Sequence, residues 1–164
     1  MFDFYDGGGL DIAFLGLAEF DPRGNVNVSW FGSNIAGVGG FINISQSTDR
    51  VVFMGTLTAG GLQVDIGNGK LKILQEGRLK KLLPDIQHLS FNGPYMASLG
   101  HTVLYITERA VFEQRNGQLV LTEVAPGINL ERDVLGVLGA SVAIAKDLRT
   151  MDPRIFTDEP MGLL

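Results

Sequence analysis

The sequence predicts an α/β fold, a single unit with a β-hairpin or meander insertion, from three observations. In the first third, an apolar run, a glycine-rich turn, a short helical pattern and a second apolar run follow one another, which is typical of a βαβ-like unit. The middle alternates apolar and polar residues around Asn-Gly turns, as antiparallel hairpins do. Near the end, apolar residues recur at helical spacing. A chain of 164 residues is long enough for one domain with its own core.

Each predicted element has a local signal. The βαβ-like unit is predicted as a strand over 12–20, a turn over 21–24, a strand over 25–30, a glycine turn over 37–40, a helix over 41–48 and a buried strand over 50–56. Two hairpins are predicted around Asn68-Gly69 and Asn116-Gly117, because these dipeptides supply the positive φ angles of a tight turn. Asn129 is then predicted to cap a helix with the apolar stripe Leu130, Val134, Val137 and Leu138, ended by Gly139, before a last strand over 142–145.

Charge and composition exclude several classes of function. The net charge is −5, so there is no overall attraction to nucleic acid or to an anionic membrane. With no cysteine there is no disulfide, cysteine nucleophile or thiolate metal site. The first ten residues contain acidic but no basic side chains, the reverse of a secretory signal, and the uncharged run 25–48 is too rich in Asn, Ser and Gly to cross a bilayer. We therefore expect a cytoplasmic protein.

Common catalytic and nucleotide-binding motifs are absent. Leu71 follows Gly69-Lys70 where a Walker A motif needs Ser or Thr, and the third glycine of a dinucleotide fingerprint would fall on Ile42. We interpret His88 and His101, the only two histidines, as surface or core residues, with a metal or general-base role as the alternative.

The turn Gly37-Val-Gly39-Gly40 is the best local candidate for a site. Glycines let a ligand approach the main chain closely, and a helix that begins there points unpaired N–H groups at an anion. This pattern fits an oxyanion or phosphate site, and it also fits a tight turn that packs closely on a neighbouring strand. The residues alone leave both interpretations open.

The charged residues offer weaker candidates. Five basic residues within twelve positions indicate a solvated hairpin face or a phosphate-binding patch: Lys70, Lys72, Arg78, Lys80 and Lys81. Glu108 and Arg109 predict an ion pair at a corner between two strands, and Glu123 is a partly buried acid without an assigned partner.

The glycine turn belongs to a series of motifs that covers essentially the whole chain. The series runs Gly8-Gly-Leu-Asp-Ile-Ala-Phe-Leu-Gly16, Gly24-Asn-Val-Asn27, Gly37-Val-Gly-Gly-Phe-Ile-Asn-Ile44, Phe91-Asn-Gly93, Leu104-Tyr-Ile-Thr-Glu-Arg-Ala-Val-Phe112, Glu123-Val-Ala-Pro-Gly127 and Leu130-Glu-Arg-Asp133. It closely resembles the C-terminal part of family I coenzyme A transferases, in the single-chain branch that acts on short-chain acyl-CoA and includes acetate, propionate and 3-keto acid CoA-transferases. Gly-x-Gly-Gly alone would not be specific, whereas the series is.

The resemblance implies an open mixed sheet with flanking helices and a transfer of CoA between an acyl-CoA and a carboxylic acid. In the family, a glutamate attacks the thioester to give a mixed anhydride, and the CoA thiolate then forms a glutamyl-CoA thioester that the acceptor discharges. Gly37, Gly39 and Gly40 match the oxyanion-hole element, with Gly39 or Gly40 as the expected donor. No metal or tightly bound cofactor is implied, since CoA is substrate and covalent intermediate, and the basic residues listed above become candidates for its phosphates.

One part of the family pattern has no counterpart. The family's glutamate precedes the string that begins at Gly8, so we expect it before Met1, and Glu19, Glu76 and Glu108 do not match its motif. We therefore expect residues 1–164 to be a partial C-terminal CoA-transferase domain, inactive alone, whose partners are the missing N-terminal segment and further copies in a homo-oligomer. Two alternatives stay open: a non-catalytic binding or assembly module with the same fold, and an acyl-CoA hydrolase.

Overall fold

The structure, a computed structural model, describes residues 2–163 of the chain. Met1, before which we expect the family's glutamate, lies outside the described residues, so the structure does not bear on that expectation.

The described range contains fourteen strands and three α-helices. The helices α1, α2 and α3 span Phe2–Asp6, Phe41–Ser47 and Gly93–Ser98, and tighter or wider helical turns span Leu130–Val134, Leu135–Val137 and Pro153–Phe156. The strands β1 to β14 are, in chain order, Ile12–Gly16, Glu19–Phe20, Val26–Asn27, Trp30–Phe31, Asn34–Ile35, Arg50–Met54, Thr58–Ala59, Gln63–Gly67, Lys70–Gln75, Leu79–Lys80, Thr102–Ile106, Ala110–Arg115, Gln118–Val124 and Ala143–Thr150.

A mixed six-stranded sheet of order β1-β6-β11-β12-β13-β14 forms the centre of the molecule. β6 pairs in parallel with both β1 and β11, β12 is antiparallel to β11 and β13, and β14 lies parallel to β13. Since α2 lies between the parallel strands β1 and β6 in sequence, the predicted βαβ-like unit is present, with the short strands β2 to β5 inserted before the helix. The predicted α/β class with an open mixed sheet is confirmed.

Both predicted hairpins are confirmed. β8 and β9 pair around Asn68 and Gly69, whose φ angles are 53° and 71°. β12 and β13 pair around Asn116 and Gly117, with φ angles of 51° and 77°. Positive φ at both central positions matches the right-handed twist of the flanking strands, which explains why Asn-Gly was a sufficient signal.

The helix predicted after Asn129 forms differently. The Asn129 side chain accepts from Arg132 N as a cap, but the following turn over Leu130–Val134 is π-helical and continues as a 3₁₀ turn. Arg109 Nη1 donates to the carbonyl of Asp133 at 2.9 Å, which occupies a group that a continuing α-helix would use. The predicted apolar stripe still reaches the core, where Val134 is fully buried.

Two helices and most of the last strand were not predicted. β14 runs to Thr150, five residues beyond its predicted end, because it is an edge strand with many exposed positions and lacks a clear apolar alternation. α3 begins with a local signal: Asn92 accepts from Tyr95 N at 3.0 Å as the N-cap, and Pro94 stands in the first turn.

The main core lies on one face of the sheet, which we call the inner face. Phe20, Phe53, Phe91 and Tyr105 are fully buried there, and the ring centroids of Phe53 and Phe91 are 4.9 Å apart. Phe41 of α2 stacks on Phe53 at 5.7 Å, so α2 packs on this face.

The opposite, outer face of the sheet is covered in part. Beside β12, Val111 packs against a second cluster formed by Leu71, Ala125, Met151 and Phe156. Beside β1 and β6, Ile12, Phe14 and Met54 remain 43%, 63% and 47% exposed. The described residues therefore cover this face beside β12 and leave these three side chains exposed beside β1 and β6, although Val52 between them is buried.

Candidate functional site

The glycine turn lies toward the carboxyl-terminal ends of the parallel strands. Leu17, directly after β1, donates its N–H to the carbonyl of Met54, the last residue of β6, at 2.8 Å. From Gly40, α2 runs back toward the amino-terminal ends of these strands. There β6 and β11 begin, and Thr102 N donates to the carbonyl of Asp49 at 2.9 Å. Open α/β sheets bind ligands beyond the carboxyl ends of their strands, so the turn stands in a favourable position for a site.

The backbone conformation at Gly37 and Gly39 requires glycine at both positions. Their φ angles are 79° and 52°, in the left-handed region, where a side chain costs about 1 kcal/mol or more. An added Cβ at either position would meet no atom within 4 Å. The turn is therefore open in front of both residues. Gly40, with φ of −87°, is the N-cap of α2 and is not under the same constraint.

The amides of the turn differ in their hydrogen bonding. Ala36 N and Gly37 N both donate to the carbonyl of Ser29, at 2.8 and 3.2 Å. Within residues 2–163, the N–H groups of Gly39 and Gly40 meet no protein acceptor, and no side chain caps α2. Ser29 thus fixes the start of the turn, and the amides of Gly39 and Gly40, like that of Val38 between Gly37 and Gly39, are left for a ligand. Sequence reasoning did not single out Ser29, because its main-chain contact leaves no mark in the sequence.

Buried polar side chains fix the segment that leads to the turn. Fully buried Asn27 donates through Nδ2 to Glu19 Oε2 at 2.9 Å and to the Trp30 carbonyl at 2.7 Å, and its Oδ1 accepts from Ser29 N at 3.1 Å. The hydroxyls of Ser29 and Ser90 are 2.9 Å apart. The Asn27 amide therefore satisfies internal polar groups of the segment.

Hydrogen bonds hold the tip of the β4–β5 hairpin, which lies directly before the glycine turn. Gln87 binds both main-chain groups of Gly32, with Oε1 accepting from N at 2.8 Å and Nε2 donating to O at 3.0 Å. Trp30 Nε1 donates to the same carbonyl at 2.9 Å, and its ring lies 5.5 Å from that of His88. Ile35 on the same hairpin is 71% exposed. The hairpin therefore presents apolar surface beside the turn on a fixed backbone.

Two of the five predicted basic residues share one surface pocket. Lys70 and Lys72, both exposed on β9, line a pocket of about 510 Å³ together with Asp65 and Gly127. Within the described residues, neither ammonium group has a hydrogen-bond partner. Both side chains remain available to an anionic ligand, and their contact with CoA phosphates stays a prediction.

Of the other three basic side chains, two bond to the protein and the third, Lys81, is half-buried. Arg78 Nε donates to a main-chain carbonyl at 3.2 Å, and Lys80 Nζ donates to the carbonyl of Leu138 at 2.9 Å. Burial lowers the pKa of Lys81, an effect that the nearby Glu108 carboxylate opposes. Sequence proximity alone had grouped these three with Lys70 and Lys72.

The predicted ion pair of Glu108 and Arg109 is confirmed, and it includes a third residue. Arg109 is fully buried and donates through Nε to Glu108 Oε1 at 2.5 Å, and through Nη1 and Nη2 to Glu76 at 2.7 and 3.0 Å. Burial alone would raise the pKa of Glu76, but hydrogen bonds from Arg109 and Thr58 hold that pKa below its ordinary value. Glu76 and Glu108 therefore both bind the buried guanidinium of Arg109.

The remaining titratable candidates also have internal partners. Glu123, to which the sequence assigned no partner, accepts from Arg149 Nη2 of β14 at 2.7 Å. His101 Nδ1 lies 2.9 Å from the carbonyl of Thr48. Within residues 2–163, no group of three or more His, Cys, Asp or Glu side chains is arranged to hold a metal ion. No helix in this part of the chain is long and apolar enough to cross a membrane.

Comparison with known proteins connects this arrangement with one enzyme family. No protein-family model matches the chain. A caffeate CoA-transferase of Acetobacterium woodii is 48% identical over 168 residues, and the acetate CoA-transferase YdiF of Escherichia coli K12 is 46% identical over 163; each alignment covers 99% of this chain. The chain is a CoA-transferase homologue. It spans about a third of the length of these relatives, 32% and 31%.

Solved structures agree with this assignment. The acyl-CoA transferase YdiF of E. coli O157:H7, described as a thioester complex with CoA, matches 99% of this CoA-transferase homologue and 32% of its own chain, with a TM-score of 0.96 and 46% identity. Glutaconate CoA-transferase from Acidaminococcus fermentans matches 87% of this chain and 53% of its own, with a TM-score of 0.60 and 19% identity. The second likeness shows the fold alone. The predicted resemblance to CoA-transferases is confirmed.

Proposed function

We propose that this chain provides the oxyanion-hole portion of an enzyme that moves CoA between a short-chain acyl-CoA and a carboxylic acid. Its identity of 46–48% to two CoA-transferases along 99% of its length supports the general reaction. The observation that carries the specific role is the glycine turn, where the amides of Gly39 and Gly40 have no acceptor among residues 2–163. Because the chain spans about a third of these relatives, the activity, substrates and partners of the whole enzyme belong to the proposal.

In the first proposed step, a glutamate carboxylate attacks the carbonyl carbon of the acyl-CoA thioester. The C=O π electrons move to oxygen, and the N–H of Gly39 or Gly40 donates to the oxyanion. Collapse of this tetrahedral species breaks the C–S bond, which gives CoA thiolate and a mixed anhydride. A preorganised amide contributes about 3 kcal/mol to such a step, because it is already aimed at the developing charge.

In the second step, the thiolate attacks the glutamyl carbonyl and releases the acyl group as a carboxylate. The enzyme then holds CoA as a glutamyl thioester. A new carboxylate repeats the two steps in reverse, takes CoA and regenerates the glutamate. No net proton transfer is needed, since carboxylates enter and leave as anions. The description of YdiF as a thioester complex with CoA supports a covalent intermediate of this kind in that relative.

The nucleophile is proposed to come from outside the described residues. Glu76 and Glu108 are held by buried Arg109, and Glu19 accepts from Asn27. A nucleophilic carboxylate must be free to form a bond with the substrate, and these contacts oppose that role.

The position of this nucleophile, before Met1, stays a prediction. We propose that residues 1–164 form a partial C-terminal domain that works with a preceding segment bearing the glutamate, in a homo-oligomer. Lys70 and Lys72, whose ammonium groups line one pocket, are proposed to contact CoA phosphates. Both parts of this proposal concern the complete enzyme, of which the chain corresponds to about a third.

The location of the covalent adduct tests this assignment. The chain is grafted into E. coli YdiF in place of its counterpart, incubated with acetyl-CoA or propionyl-CoA, treated with borohydride and mapped by mass spectrometry. We expect the modified glutamate in the YdiF-derived part that precedes Met1, and no adduct when the chain is incubated alone. An adduct on Glu19, Glu76 or Glu108 would contradict the proposal.

The same graft separates the alternatives. CoA transfer that depends on an added carboxylate supports the transferase. Release of free thiol without an acceptor indicates an acyl-CoA hydrolase, which shares the glutamyl intermediate but uses water. Tight CoA binding by the chain alone, measured by calorimetry, combined with no turnover in the graft, indicates a non-catalytic binding module.

A further inference from the structure

The segment that ends in the glycine turn is held by few packing contacts. Of residues 30–40, all of which the structure describes, none is buried, although Val38 packs in part against the core. Ile35, in the middle of the segment, is 71% exposed. Since little apolar surface fixes this segment, its position depends on hydrogen bonds from the protein beside it.

The fully buried side chain of Asn27, on β3, binds the residues where this segment begins. Its Oδ1 accepts from the main-chain N–H groups of Ser29 and Trp30 at 3.1 and 3.2 Å, and its Nδ2 donates to the Trp30 carbonyl at 2.7 Å. Nδ2 also donates at 2.9 Å to Oε2 of Glu19, which lies opposite Asn27 on β2. Because the N–H groups only donate and the carbonyl only accepts, these partners allow one orientation of the Asn27 amide.

One planar peptide group connects Asn27 with the glycine turn. The N–H of this group is that of Trp30, and it donates to Asn27. The carbonyl of the same group is that of Ser29, and it accepts from Ala36 N and Gly37 N at 2.8 and 3.2 Å. Asn27 therefore holds one end of a rigid group whose other end binds the start of the turn. Rotation of this group would move the turn with it.

We propose that Asn27 is a positioning residue of the oxyanion hole. Through the peptide group between Ser29 and Trp30 it holds the start of the turn, so that the N–H groups of Gly39 and Gly40 stay aimed at the oxyanion. The proposal rests on the proposed function, because it takes these N–H groups as the oxyanion donors. A displacement of about 1 Å in such a site can lower turnover by about 100-fold.

Asn25 provides a matched control two residues away. It is also buried, and its side chain donates to Asp21 Oδ2 at 2.9 Å and accepts from Gly93 N at 3.2 Å. Neither partner belongs to residues 28–40. Replacement of either asparagine by alanine removes buried hydrogen bonds, so Asn27→Ala and Asn25→Ala should both lower the melting temperature of the graft with YdiF. Only Asn27→Ala should affect the glycine turn.

Steady-state kinetics of the graft test the positioning role. In Asn27→Ala, kcat and kcat/KM for acetyl-CoA should fall together by about 10- to 100-fold, with KM within about 3-fold of the unsubstituted graft, because an oxyanion donor acts mainly in the transition state. Asn25→Ala should keep kcat within about 3-fold. A raised KM with unchanged kcat, or equal losses of kcat in the two variants, would overturn the proposal.

A conservative variant, Asn27→Ser, remains informative if Asn27→Ala does not fold. The serine hydroxyl can accept from the N–H two residues further along the chain, as the asparagine oxygen does, but it is too short to donate to the Trp30 carbonyl. We therefore expect a partial loss of kcat, about 3- to 10-fold, between the unsubstituted graft and Asn27→Ala. An unchanged kcat in a folded Asn27→Ser graft would overturn the proposal.

Hydrogen exchange in the turn distinguishes a failure of this proposal from a failure of the proposed function. The amides of Ala36 and Gly37 should exchange at least about 10-fold faster in Asn27→Ala and at the unsubstituted rate in Asn25→Ala. Unchanged exchange in Asn27→Ala would overturn the positioning role irrespective of turnover. Faster exchange with normal turnover would overturn it as well. Gly39→Val in the same graft then decides the wider question, because normal turnover in that variant contradicts the proposed function and a loss of turnover supports it.

Discussion

Arg109 binds both carboxylate oxygens of Glu76, with Nη1–Oε2 at 2.7 Å and Nη2–Oε1 at 3.0 Å. Glu76 follows β9 and Arg109 stands between β11 and β12, so the pair joins the β8–β9 hairpin to the central sheet. The guanidinium is fully buried and also donates to Glu108. Arg132 and Arg154 also bind a carboxylate through two nitrogens, but both are exposed, whereas Arg109 is buried.

Removal of Arg109 should strongly destabilise the fold. Arg109→Ala leaves two carboxylates without their shared cation, and we expect a loss of about 3–5 kcal/mol in the free energy of unfolding, measured by urea denaturation. The control is Arg115→Ala. Arg115 pairs with Glu113 at 2.6 Å on the surface, and its loss should cost less than about 1 kcal/mol. Similar losses for the two variants would contradict this interpretation of the network.

Acid should weaken the same network. The pKa of Glu76 lies below its ordinary value of 4.5, and hydrogen bonds from Arg132 hold the pKa of Asp133 low as well. Since the unfolded chain binds these protons more readily, the stabilisation is fully present above about pH 5 and is lost as pH falls through the depressed pKa values. The loss of stability on protonation of Glu76 is moderate, because its side chain is 35% exposed.

The pH dependence can be assigned with one variant. Urea denaturation at about pH 7, 5 and 3 should show a falling free energy of unfolding in the native chain and a smaller fall in Glu76→Gln, which cannot titrate at this position. The variant should already be less stable at neutral pH, because it leaves Arg109 with a weaker acceptor. An equal fall in both proteins would show that Glu76 does not contribute.

Gly24 should be far less tolerant of a side chain than another glycine with the same backbone. Its φ is 79°, and an added Cβ would lie 2.5 Å from Gln114 Oε1 and 2.7 Å from Tyr105 Oη. Gly100, with φ of 83°, has no atom within 4 Å of an added Cβ. Gly24→Ala should cost about 2–4 kcal/mol, from strain plus overpacking, and Gly100→Ala about 1 kcal/mol. Thermal denaturation of both variants measures the difference, and equal costs would argue against the close packing.

Much of the fold was predictable because its signals are local. Asn-Gly turns with positive φ define two hairpins, and the run from the glycine turn to β6 gives a helix and a buried strand. The turn after Asn129 was predicted as an α-helix because the sequence does not show that Arg109 binds the carbonyl of Asp133. The length of β14 was missed for a similar reason, since an exposed edge strand has no buried face to impose alternation.

The sequence predicts the glycines of the candidate site, but it does not predict the contacts that surround them. Positive φ at Gly37 and Gly39 explains why glycine is needed there. The contact that orders the amides, from Gly37 N to the carbonyl of Ser29, joins main-chain groups and leaves no pattern in the side chains. The basic residues were grouped by proximity along the chain, but Lys80 donates to Leu138 and is thereby drawn away from the pocket that Lys70 and Lys72 share.

The rate of CoA transfer in the graft with YdiF, compared between Gly39→Val and Gly100→Val, tests the central claim most directly. Both glycines have left-handed backbones and open space for a side chain, so both variants should lose similar stability, about 1–3 kcal/mol. Gly100 lies two residues before β11, at the amino-terminal ends of the parallel strands and away from the glycine turn. We predict that Gly39→Val lowers turnover by about 100- to 1000-fold, because it displaces an oxyanion donor, while Gly100→Val keeps turnover within about 3-fold of the unsubstituted graft. Equal turnover in the two variants would contradict the role assigned to the glycine turn.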